Sequence, residues 1–181
     1  MRPCLLSLLL SLALTLPATA HAQREARGMF ALFTLPQGQG DAAERAAVKA
    51  AVREAMAERP KGRLWCVPFA REVSGVELRG NAKTWWDQAA GRYHRSKEPQ
   101  VGAVMAFAAS RAMPKGHVAV VSKVISDREV LVDQANWVRN RITVDTLVVD
   151  VSSKGDWSQV RVANGQGSLG RVNPVQGFIL P

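Results

Sequence analysis

Cysteine is nearly absent from this chain of 181 residues: it holds two, Cys4 and Cys66. So sparse a set excludes a disulfide framework. Histidine is almost as scarce, at three, and no group of Cys, His and carboxylate side chains shows the convergent spacing of a zinc site. No metal and no other cofactor is therefore expected. The glycine-rich stretch "NGQGSLG" near the C-terminus lacks the Lys and the strand–helix setting of a phosphate-cradling loop. No long block of like charge and no Arg-rich motif marks a nucleic-acid reader. Long apolar runs are missing too: the run from Leu5 to Leu16 is shorter than the roughly 20 residues a spanning helix needs.

What that apolar run does resemble is an export signal. Arg2 supplies a positive start, and Ala20-His21-Ala22 fits the small-residue cleavage pattern ahead of Gln23. Residues 1–22 are read as a cleaved signal peptide, which puts the protein in the periplasm or outside the cell with no stable membrane anchor. Cys4 lies before the apolar run, not at the cleavage point, so it is no lipidation site. The remaining 159 residues (181 less 22) suffice for one domain with its own core, and a monomer is expected. Lys and Arg outnumber Asp and Glu by 24 to 15, a net charge of +9 that falls by one when Arg2 is removed. A basic exported domain keeps company with anionic envelope polymers.

Residues 23–60 read as a leader. It has a flexible lead-in ending in "LPQGQG" and an Ala-rich helix starting at Asp41, with Asp41 and Glu44 in capping-box spacing and Val48, Val52 and Met56 as a thin apolar stripe. Residues 61–181 form the body. "CVPFAREVS" is a short helix closed by Gly75, and "NAKTWWDQAAGRY" a second one. Strand texture follows in "AVMAFA", "HVAVVSKVI" and "EVLVDQANW", the last two joined by a hairpin turn at Ser126–Arg128. "RITVDTLVVDV", "WSQVRV" and "GFIL" add β segments. Helices first and strands after predict an α+β fold with an antiparallel sheet.

Cys66 opens a helix, where the macrodipole favours thiolate, the nucleophilic form. A nucleophile of this kind needs a base, usually histidine. His21 leaves with the signal and His94 falls in a polar stretch, which leaves His117 at the start of a strand, just after Gly116. An activated Cys66 is expected to alkylate well below pH ~8.5, the free-thiol pKa. As a bland alternative, Cys66 is a buried, inert thiol.

Cys66 opening its helix, "PQVGAVMAF" before the histidine, "GHVAVV" around it and "VLVDQANW" on the next strand together resemble CHAP domains, the cysteine- and histidine-dependent amidohydrolases/peptidases. The resemblance implies a papain-like fold with N-terminal helices packed on an antiparallel sheet. It also implies hydrolysis of amide bonds in peptidoglycan through an acyl-enzyme, with Cys66 as nucleophile and His117 as base. The family commonly has Glu, one intervening residue, Asn and an aromatic on the strand that orients the histidine. Here Asp133-Gln134-Ala135-Asn136-Trp137 carries one residue too many, so Asp133 is the first candidate, Asn136 the second and Gln134 the third. Trp65 stands where the family often has Gln, which removes one candidate oxyanion donor and leaves the backbone N–H of Cys66. A catalytically weak or inactive CHAP scaffold that binds the anionic envelope is the competing reading. A small soluble amide or a peptide crosslink outside the wall is an alternative substrate.

Overall fold

The computed structural model describes residues 37–58, 61–165 and 167–181. The signal peptide expected at 1–22 and the first part of the leader lie outside the described residues. Among the described residues, three α-helices precede seven strands: α1 (Gln37–Ala57), α2 (Cys66–Ser74) and α3 (Trp85–Gln88), the last entered through a 3-10 turn at Ala82–Thr84. The strands are β1 (His94–Ser96), β2 (Val104–Phe107), β3 (His117–Ser126), β4 (Glu129–Ala135), β5 (Ile142–Asp150), β6 (Gln159–Ala163) and β7 (Leu169–Leu180).

The expected papain-like α+β fold is not what forms. The sheet runs β1-β7-β2-β3-β4-β5-β6, and β6 pairs again with β7. The result is a six-stranded antiparallel β-barrel with β1 as an appendage, a mostly β structure with a few helices outside it. The cause is β7. Its first half pairs with β6, from Leu169↔Ala163 to Pro174↔Gln159. Its second half pairs with β2, from Val175↔Phe107 to Ile179↔Val104, and its end also holds β1. Pro174, which has no N–H to donate, falls where the partner changes, so the ladder loses little there. At Gly177 (φ +145) an added Cβ would lie 2.6 Å from the Ser96 carbonyl oxygen and 2.6 Å from the Trp86 ring, so only glycine admits β1 and α3 this closely.

Closure gives every barrel strand an inside and an outside. Met105, Phe107, Ala119, Val121, Val130, Val132, Val148, Val160, Val162, Val175 and Phe178 fill the inside, with Trp157 edge-on to Phe178 at 5.6 Å. The alternate residues Val104, Ala106, Val118, Val120, Ala135 and Ile179 face outward and are covered by Phe69, Ala70 and Val73 of α2, Trp85 of α3 and Val48, Val52 and Ala55 of α1. α2 matches its expected span, ending on Gly75 in the left-handed conformation (φ 73) with its N–H on the Arg71 carbonyl. α1 begins four residues before Asp41, so the "QGQG" read as lead-in is helical and Asp41 is no cap. Its buried stripe is Val48, Val52 and Ala55, whereas Met56 is half exposed.

α1 is also tied down by charge. Lys49 Nζ donates to both carboxylate oxygens of Asp133 at 2.7 Å, and Asp133 is fully buried. Arg45 donates to the Ser122 carbonyl at 2.8 Å and pairs with Asp145, whose own N–H bonds Asp133 at 2.7 Å. Removing one partner of a buried ion pair typically costs about 3–5 kcal/mol, because the other charge is stranded. Lys49→Met is therefore expected to lower unfolding stability by roughly 3 kcal/mol, and adding Asp133→Asn to return part of it, since a neutral amide is less costly to bury than an unpaired carboxylate. Denaturant midpoints would read both; an unchanged midpoint in Lys49→Met contradicts the tether.

Candidate active site

One mouth of the barrel opens into a cleft of about 830 Å³ lined by the start of α2, the 112–116 loop, His117, Asn136, Trp137 and the β6–β7 wall. Cys66 and His117 both line it. Trp65, extended at φ −131 and ψ 145, leads into α2 and leaves Cys66 as the first helical residue. Cys66 is a free, half-buried thiol. Backbone N–H groups of Val118, Cys66 and Val67 reach its sulfur, so the thiol lies against the strand residue that follows His117.

Gly116 puts His117 in place. It has φ +68, and a Cβ there would sit 2.7 Å from the Lys83 nitrogen and 2.9 Å from the Phe107 carbonyl oxygen. The same crossing is fastened by Lys83 N–H donating to the Lys115 carbonyl at 2.9 Å. His117 then enters β3 opposite Phe107 of β2, buried between aromatic edges: Phe107 at 5.5 Å and Trp137 at 5.1 Å between ring centroids. Its Nε2 bonds Gln134 Oε1 at 2.9 Å. With that amide oxygen as acceptor, Nε2 carries the proton and Nδ1 the lone pair.

The structure brings Cys66, His117 and Asn136 to one cleft and leaves Asp133 out of it. Val120↔Asp133 and Val121↔Val132 set the register, so Asp133 shares the outward face with Val118 and Val120, where Lys49 takes it. Gln134, ranked third from the sequence, shares the inward face with His117 and is its partner. Asn136 leaves the strand at φ +63, and its Oδ1 accepts the Asn140 N–H at 2.9 Å, so it shapes the turn that carries Trp137. His94, read as a surface-loop residue, is exposed on β1 and is not among the lining residues. The leader helix α1 contributes no lining residue either, so its described part does not cover the cleft. Sequence reasoning missed Arg63, Lys115 and Arg171 as lining residues. Isolated cations in polar stretches carry no pattern that marks them.

Burial governs the electrostatics of the pair. It pushes the Cys66 thiol above its ordinary value, against the three N–H groups that favour thiolate. It pushes His117 down to about 4, against the hydrogen bond to Gln134, which favours the charged ring. At neutral pH the pair rests as thiol and imidazole. The expectation of a thiol ionised well below pH ~8.5 is thus reversed, because desolvation outweighs the helix start.

A cysteine at a helix start beside a buried, oriented histidine, both open to one cleft, is the constellation of acyl transfer through a thiol nucleophile. The family model for the CHAP domain matches residues 58–136, and this segment belongs to that family. CHAP domains are generally hydrolases acting on peptidoglycan as amidases or peptidases. The match takes in Cys66, His117 and Gln134 but not α1 or β5–β7. No curated protein matches the chain.

The depressed histidine makes stability depend on acid. An unfolded chain protonates His117 near pH 6.5 and the folded one only near 4. The unfolded state therefore binds the extra proton across this window, and the stabilisation present above about pH 6.5 is lost as pH falls towards 4, by roughly 3 kcal/mol. Unfolding followed from pH 7 to 4 is expected to show this slope, flattened in His117→Gln; an equal slope in both would contradict the burial argument.

Proposed function

We propose that this protein is an exported cysteine amidohydrolase or endopeptidase that cleaves amide bonds in peptidoglycan, with Cys66 as nucleophile, His117 as base and Gln134 as the residue that positions the imidazole. The observation that carries the reading is the His117 Nε2–Gln134 Oε1 bond at 2.9 Å, which leaves Nδ1 as the basic nitrogen at the cleft that Cys66 shares. Gln134 is fully buried and its Nε2 has no hydrogen-bond partner among the described residues. An unmet buried amide donor costs about 1–3 kcal/mol, which an apolar side chain of the same size would avoid. Such a cost at the contact with His117 favours a functional role.

In the mechanism, the substrate carbonyl settles against the Cys66 thiol and His117 Nδ1 takes the thiol proton as sulfur attacks. The N–H groups at the start of α2 stabilise the oxyanion. The imidazolium gives its proton to the leaving amine, and a thioester to Cys66 remains. Water then loses a proton to the same nitrogen and attacks the thioester, releasing the acid and restoring the thiol. Gln134 fixes the tautomer, and its hydrogen bond favours the charged ring less than burial disfavours it. The exported address rests on the signal-like sequence of residues 1–22.

One observation favours the second reading, a binding module with little turnover: burial holds the thiol protonated, and Trp65 supplies no amide donor. Both readings meet one experiment. The full chain and its Cys66→Ala variant are incubated with purified peptidoglycan under reducing conditions and the fragments weighed. Fragments from the unsubstituted protein only, with an acid limb of kcat/KM near pH 4, are expected from the His117 value. Binding without fragments would favour the module.

A further inference from the structure

Among the described residues, the side chains lining the cleft that are charged at neutral pH are all cations: Arg63, Lys115 and Arg171. Among the described residues, the carboxylates pair with Arg45, Lys49, Arg71, Arg79 and Arg128, and none with these three. Two of the three are gathered on one ring. The Arg63 guanidinium lies 4.2 Å from the Trp65 centroid and the Lys115 ammonium 5.8 Å, and Trp65 immediately precedes the nucleophile. Trp65 itself is 45% exposed, so the ring is a platform at the mouth and no part of the core. Arg171 stands on β7, on the wall that the family match does not reach. Like charges converging beside a positive helix start repel one another until an anion arrives, and a low-dielectric cleft focuses that field.

We infer that the cleft selects peptides that carry a free carboxylate next to the scissile amide, with Arg63 and Lys115 on the Trp65 side and Arg171 on the β7 wall as specificity-determining residues. The inference deepens the hydrolase reading and rests on it for which amide is cut. A carboxylate, as opposed to a carboxamide, is what the paired cations discriminate: the guanidinium fork offers two N–H donors to its two oxygens, and a neutral amide answers only in part. The Trp65 ring adds a flat apolar surface for the stem of the acidic side chain.

The test separates binding from turnover. Full-length protein carrying Cys66→Ala is titrated calorimetrically with two short peptides that differ only in Glu or Gln beside the central amide, at low and high salt. The Glu peptide is expected to bind roughly tenfold more tightly, a difference that shrinks as salt screens it. Arg63→Gln with Lys115→Gln, and Arg171→Gln separately, should each reduce the preference, while Arg53→Gln, exposed on α1 and outside the cleft, leaves it in place. Equal affinities, no affinity for either peptide, or a preference that survives all three substitutions would overturn the inference. Turnover of peptidoglycan by the unsubstituted protein is read in parallel. Turnover without carboxylate preference defeats this inference alone, and preference without turnover defeats the hydrolase reading alone.

Discussion

Closure of the barrel by β7 is the constraint on which the rest depends. Because that strand pairs with β6 along one half and with β2 along the other, no barrel strand keeps a free edge, and every strand residue is committed to one side. The two sides have opposite chemistry here. Asp133 goes outward to meet the Lys49 ammonium of α1, and the next residue, Gln134, goes inward to meet His117. A slip of one residue in the β3–β4 register would exchange them, setting a carboxylate against the histidine and a neutral amide against Lys49. The outer ion pair and the inner hydrogen bond thus hold the same register from both faces.

The resting state that follows is electrically quiet. Phe107 and Trp137 exclude water from His117, Gln134 offers it a neutral acceptor, and burial keeps the Cys66 proton on sulfur. In the proposed mechanism, proton transfer and nucleophilic attack then belong to one step. For a free thiol this has a chemical advantage, since the thiolate is the form that oxidants and stray disulfides attack. The positive charge of the site sits instead at its mouth, on Arg63, Lys115 and Arg171.

Much of the site was legible in the sequence. Cys66 at a helix start and His117 after a glycine are local signals, and local signals survive folding. The hairpin at Ser126–Arg128 was legible for the same reason. The choice among Asp133, Gln134 and Asn136 was not, because it turns on strand register, and register depends on bulges such as the one between Val121 and Lys123. The appeal of a charged partner for histidine pointed to Asp133, while the lysine that claims it is 84 residues away in sequence. The barrel was illegible for a related reason. Pro174, Gly170 and Gly177 weaken the strand pattern of β7, so only "GFIL" reads as strand, yet those residues are where the chain changes partners and lets neighbours approach. Sequence propensity describes a residue's own preference, and closure is a property of two distant ladders at once.

The most direct test of the central claim is to catch the covalent intermediate. Protein mixed with soluble peptidoglycan fragments is quenched in acid within the first turnovers, digested, and the peptide containing Cys66 weighed. The account predicts an added acyl mass on Cys66, labile to hydroxylamine as a thioester is. Products released with no mass ever added to Cys66, or released equally by Cys66→Ala, would contradict it.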